Sequence, residues 1–235
     1  MSNLNTLSEQ LLIAVKKEEP YQGFLTALAD LPITDVEKQL INDRYKNAFW
    51  INIYNSFFQI LRKYRHLGQS KIYTVKQMTI AGHDISLDDI EHGILRRFRY
   101  KYSLGYVPNP FINAQIRKWA VNTVDFRIHF ALNCGAKSCP PIAFYSVDKL
   151  EEQLELSSIS FIREETHIDQ QKEKLHISRL FLWFLNDFGG PKGTRRIMSK
   201  YLGLDFSRYK LVYNDYSWEE SLNNYAESRF DSDMS

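Results

Sequence analysis

The chain of 235 residues has only two cysteines, 10 glycines and 7 prolines. Two cysteines cannot staple a secreted scaffold or fill a four-cysteine zinc site. So few glycines and prolines argue against a linker-rich or many-turned all-β chain. Neither charge sign dominates: 30 Lys and Arg against 28 Asp and Glu leave +2, which gives no reason to expect nucleic acid or an acidic membrane surface as partner. No apolar run approaches the ~20 residues of a membrane span, and the N-terminal LLIAV stretch, with no basic region before it, is too short for a signal peptide. These absences lead to the expectation of a soluble, cytoplasmic protein. Phosphate loops, Walker sequences, G-x-S-x-G elbows and H-E-x-x-H motifs are also missing.

Aromatic residues are plentiful, with 15 Phe, 14 Tyr and 4 Trp. No linker, repeat or low-complexity tract divides the chain, so one domain spanning 1–235 is expected, with a polar tail, DSDMS, that frays. Apolar spacing predicts short helices over 2–17 and 21–31. Thr34 and Glu37 have the spacing of a capping box, and no Gly or Pro follows until beyond residue 64, which predicts one long helix over 35–64. Its middle, NAFWINIYNSFFQIL, is apolar nearly all round and belongs at the centre of a fold.

A hairpin is expected around Gly82-His83, and helices over 86–99, 109–121, 146–163 and 178–188, with another opening at Pro191. Candidate strands are 127–132, 167–171, 174–177 and 210–213. The sum is a helix-rich α+β chain with a long central helix and a small, mostly antiparallel sheet.

The run DFRIHFALNCGAKSCPP (125–141) carries both cysteines. On a strand His129 and Asn133 would share a face, and Gly135 would permit a sharp turn that lifts the Cys134 thiol out at a corner. A buried cysteine acting as a small hydrophobe is the plainer alternative, and a zinc site using Cys134, Cys139 and a distant histidine is a further one. The C-x4-C spacing is not that of a redox motif, so both thiols are expected to be reduced. His92, early in a helix beside Glu91 and four residues before Arg96, would have its pKa pulled down, which suits a neutral base; an ordinary half-buried histidine is the alternative. Asn47, Asn52 and Asn55 in an apolar helix need partners, either as a structural network or as the lining of a polar pocket. The basic, aromatic run RRFRYKY (96–102) reads either as a solvated helix end or as a phosphate- or RNA-facing patch.

NAFWINIYN (47–55), SLDDIEHGILR (86–96), RIHFALNCGAKSCPPI (127–142) and SRLFLWFLNDF (178–188) together resemble the domain of unknown function 547 family, over about 40–215. The resemblance implies no established activity. Relatives that carry serine in place of Cys139 but keep Cys134 point to Cys134 as the more functional of the two. Phe126 stands where bacterial members commonly have proline.

The residues then suggest a cysteine-dependent hydrolase or acyltransferase, with a papain- or transglutaminase-like arrangement in permuted order. Cys134 would be the nucleophile, His92 or His129 its base, and Glu91 or Asn133 the orienter. Asn47, Asn55, Asn133, Ser138 and Cys139 would bind substrate or support the site. No cofactor or metal is expected. The partner would be a small molecule or peptide, or a redox or signalling protein. The alternative is a non-catalytic interaction module with a polar groove; thiol redox exchange through Cys134 and Cys139 is a weaker one.

Overall fold

The computed structural model describes residues 3–226; the expected fraying of the DSDMS tail lies outside them. The N-terminal part is a run of helices: α1 (Leu4–Lys16), α2 (Gln22–Ala29), α3 (Ile33–Gln39) and α4 (Asp43–Gln59). Asn3 caps α1 through its side chain, which accepts from the amides of Asn5 and Thr6. The expected 35–64 helix is therefore two helices. It breaks at residues 40–42 because Asn42 is extended and its side chain caps a fresh helix, accepting from the Tyr45 amide. Thr34 is no cap either, since α3 already begins at Ile33, with Pro32 at the cap position. Helix α4 continues into a π-helical turn, Ile60–Tyr64.

The centre of α4 is buried as its composition requires: Phe49, Trp50, Ile53 and Phe57 are at most 1% exposed. Two of its three asparagines, Asn52 and Asn55, tie it to irregular chain, whereas the buried Asn47 Oδ1 has no hydrogen-bond partner. Asn52 donates to the Tyr145 carbonyl (2.7 Å) and accepts from the Tyr145 amide (3.0 Å). Asn55 does the same for the segment 131–133, donating to the Ala131 carbonyl and accepting from the Asn133 amide, each at 3.0 Å. Each amide thus stands in for a missing backbone partner of irregular chain, which offsets the poor helix propensity of Asn.

Beyond α4 come α5 (Gln69–Ile72), the antiparallel hairpin β1 (Met78–Ile80) and β2 (His83–Ile85), and a π-helix, Asp89–Leu95. Helix α6 (Ala114–Trp119) is shorter than the 109–121 expected. The 127–132 run is not a strand. It is a 3-10 helix, Phe126–Phe130, because the Asp125 carboxylate accepts from the Arg127 amide and turns the chain inward. Helix α7 (Leu150–Glu165) starts after Lys149, and Ser146 does not cap it. The second sheet is β3 (His167–Asp169), β4 (Lys174–Ile177) and β5 (Lys210–Tyr213), with β3–β4 antiparallel and β4–β5 parallel. Between β4 and β5 lie α8 (Leu180–Trp183), one turn of the expected 178–188 helix, and α9 (Gly190–Leu202). The architecture is helix-rich α+β.

Two apolar clusters fill the interior. One is built on α1, α4 and the π-helix, the other on Phe130, α7, β4 and α9. Among the described residues no helix is long and apolar enough to cross a membrane.

Candidate functional site

A cavity of about 510 Å³ opens where the two clusters meet, a volume within the usual range for small-molecule sites. Tyr54, Tyr73, Tyr102, Trp183, Phe184 and Trp218 supply aromatic wall, and Asp88, Glu91, His92, Lys101 and His129 supply polar groups. Cys134, Cys139 and Tyr216 line it as well.

Glu91 and His92 reach it from the π-helix, whose wider turn is a frequent feature of functional sites. Glu91 accepts from the Tyr54 hydroxyl at 3.1 Å. Burial, reinforced by Asp88, pushes its carboxyl up from 4.5 to about 7 against the pull of Arg96 and Tyr54. Such a group exchanges protons readily at neutral pH.

His92 Nδ1 lies 2.8 Å from Arg96 Nη1. A guanidinium only donates, so Nδ1 must accept and the ring proton sits on Nε2, 3.7 Å from Asp88 Oδ1. Burial first, then Arg96, Lys101 and His129, hold the His92 pKa well below its ordinary value. His92 is therefore neutral, its Nδ1 lone pair committed to Arg96 and its Nε2–H facing Asp88 beyond hydrogen-bond distance, so no free lone pair is left to act as a base.

Arg96 is fully buried and also donates through Nε to Asp187 Oδ2 at 2.6 Å. The same oxygen is 3.0 Å from His129 Nε2. A carboxylate only accepts, so Nε2 of His129 carries the proton and Nδ1 is the unprotonated nitrogen. The ring stacks on Phe184 at 3.9 Å. Burial lowers the His129 pKa despite Asp187, while His129 and Arg96 hold the Asp187 carboxyl down against its own burial. Gly105 lets the 100–108 loop close here: its φ is +84°, and a Cβ would meet Asp187 Oδ1 at 2.6 Å.

The expectation of free thiols is overturned: Cys134 and Cys139 are joined as a disulfide, with Cα atoms 6.1 Å apart. Gly135, at φ +72° and packed on Phe58, folds the short loop back on itself. The buried Asn133 side chain locks it, accepting from the Gly135 amide (2.8 Å) and donating to the Pro140 carbonyl (2.7 Å). A C-terminal strap then zips along the loop. Lys137 N–H donates to the Glu219 carbonyl, Ser221 N–H to the Gly135 carbonyl, and Ser217 N–H to Ser138 Oγ.

Cys134, Cys139, His92, His129 and Glu91 thus line one cavity, but among the described residues neither sulfur has a histidine within hydrogen-bond distance; the side chain beside both sulfurs is the Tyr216 hydroxyl. Asn133, Asn55 and Ser138 hold the loop beneath them. Asn133 does not orient a base, because its amide is committed to the loop, and Glu91 does not orient His92, whose Nδ1 is 3.9 Å away. Asn47 lies elsewhere, lining a separate cavity with Asp43, Arg44 and Arg127. The 96–102 run is no solvated helix end, since Arg96 is buried and Lys101 and Tyr102 line the site. Among the described residues no three His, Cys, Asp or Glu side chains are grouped to hold a metal. Sequence reasoning missed Asp187, Tyr216, Trp183 and Trp218. The only local sign of Asp187 is the polar Asn-Asp pair ending the apolar run 180–185.

The raised Glu91 pKa predicts a pH-dependent stability. Between 4.5 and about 7 the folded state holds a proton that the unfolded chain releases, so stability falls as pH rises through that window, by roughly 3 kcal/mol in all. Glu91→Gln keeps an acceptor for Tyr54 and removes this loss. Urea unfolding should show the variant gaining on the wild type between pH 4 and pH 8; parallel pH profiles would contradict the assignment.

The family model described as "Protein of unknown function, DUF547" matches residues 38–162, more than half of the chain. The match takes in Glu91, His92, Arg96, His129 and both cysteines, and ends before Asp187 and Tyr216, short of the 40–215 that the sequence motifs suggest. No curated protein and no solved structure matches the chain.

Proposed function

The chain belongs to the DUF547 family, and we propose that it is a cysteine-dependent hydrolase or acyltransferase acting on a small acyl compound with an apolar body. One observation supports this proposal: the Cys134–Cys139 disulfide, a histidine oriented by a buried carboxylate and a proton-exchanging carboxyl all line the same aromatic-walled cavity. The parts come from three separate stretches of chain, 88–96, 129–139 and 183–187, so no single local motif accounts for their meeting.

In this scheme Cys134 is the nucleophile, once its bond to Cys139 is reduced. His129 takes the thiol proton on Nδ1, with Asp187 fixing the tautomer, as in other nucleophile–base–orienter arrangements. The thiolate attacks the acyl carbonyl, and Glu91, protonated in part near neutral pH, gives its proton to the departing group. Water or a second acceptor then releases the acyl group from sulfur and returns the thiol. Lys101 holds Asp88 at the polar end of the cavity, donating to its Oδ2 at 2.6 Å.

Alkylation tests the arrangement without knowledge of the substrate. After reduction with dithiothreitol, iodoacetamide should modify Cys134 in the folded protein faster than Cys139, which is only 5% exposed, and His129→Asn should slow that reaction about tenfold or more. If Cys134 is modified only on unfolding, the cavity is a binding pocket and the interaction-module alternative holds instead.

A further inference from the structure

The two sulfurs of the disulfide have unequal surroundings. Cys139 Sγ accepts from the backbone amide of Cys134 at 3.0 Å and lies 3.0 Å from the Tyr216 hydroxyl. It is buried, whereas Cys134 is half-buried against the cavity. Tyr216 also lies 3.2 Å from Cys134 Sγ and is held by Trp183 and Trp218, at ring separations of 4.8 and 4.7 Å. Burial raises the Tyr216 pKa above its ordinary value, so the phenol stays neutral and donates.

Donors aimed at one sulfur stabilise charge on that sulfur. We propose that Cys134–Cys139 is a thiol-exchanging disulfide that accepts a low-molecular-weight thiol in the cavity, with Cys134 the sulfur attacked and Cys139 the leaving thiolate.

The thiolate R–S⁻ forms a bond to Cys134 Sγ while the Cys134–Cys139 bond breaks, and the electron pair leaves on Cys139 Sγ. Tyr216 O–H and the Cys134 amide hold that charge by hydrogen bonding, without giving up a proton. A second R–S⁻ attacks the sulfur of the bound R group, expelling the Cys134 thiolate and releasing R–S–S–R. Two thiols are oxidised and one protein disulfide is reduced. The exchange does not depend on the acyl-transfer proposal; only its consequence does, because the second attack frees the proposed nucleophile.

The experiment uses the oxidised protein with glutathione as the thiol and no acyl donor, so its failure and that of acyl transfer are separable. A short reaction is quenched with excess N-ethylmaleimide, which caps the freed Cys139 and the remaining glutathione, and peptide mapping locates each modification. The expected product carries glutathione on Cys134 and maleimide on Cys139. Tyr216→Phe, which keeps the ring between the two tryptophans, should slow its formation about tenfold, the worth of one hydrogen bond to a charged sulfur. Glutathione on Cys139, an even split, no adduct at all, or an unchanged rate in Tyr216→Phe would each overturn the proposal. The wild-type map needs no variant to fold.

Discussion

Cys134→Ser is expected to lower the hydrolysis of an activated ester by the reduced protein on the order of 10³-fold or more, because the variant lacks the attacking atom. Cys139→Ser should behave in the opposite way. Its Cys134 cannot be masked, so turnover should survive and no longer need a reductant, whereas the wild type should be silent until its disulfide is opened. Both side chains line the same cavity and differ by one atom from serine, so the contrast isolates chemistry from packing. A p-nitrophenyl ester series with and without dithiothreitol reads it directly. Equal rates in Cys134→Ser and wild type would remove the thiol from the reaction.

The second large effect is structural. Arg96 and Asp187 are buried to within 1% of complete and joined at 2.6 Å, and His92 and His129 hang from either end of the pair. Removing one member of such a pair leaves an uncompensated charge in the interior, so Arg96→Met should cost about 3–5 kcal/mol of folding stability. Removing both partners together is much cheaper, since no orphaned charge remains. Urea unfolding of Arg96→Met against Arg96→Met/Asp187→Leu should therefore show the double variant as the more stable. The ion pair's role would be refuted if the single change cost less than about 1 kcal/mol. Even where Arg96→Met stays folded, His92 Nδ1 has lost its donor and the ring is free to change tautomer.

The centre of the fold was legible because burial is written in composition: an apolar run such as 48–61 can only be an interior helix. Where the helix begins was not, because the capping Asn42 reads as one more polar residue within the expected 35–64 span. The 126–130 run has the alternation of a strand, but the hydrogen bond that the Arg127 amide donates to the Asp125 carboxylate decides the local geometry, and among the described residues no strand pairs with it. The cysteine loop stood out through its own residues, with Gly135 turning the chain and Asn133 locking it. Its redox state did not, because loop closure depends on a strap more than 75 residues away. The partners of the site were hidden for the same reason. His129 meets Asp187 across 58 residues and Cys134 meets Tyr216 across 82, and no periodicity connects positions so far apart. By contrast, His92 and Arg96 are four apart, and their contact follows from helical spacing alone.

The central claim is that Cys134 carries an acyl group during the reaction. The measurement closest to it is peptide-mapping mass spectrometry of the reduced protein quenched in acid shortly after mixing with an activated ester. An acyl group on Cys134, absent when the disulfide is left intact and longer-lived in His129→Asn, is the predicted result. An acyl group on any other residue, or none on Cys134 while the ester is consumed, would contradict it.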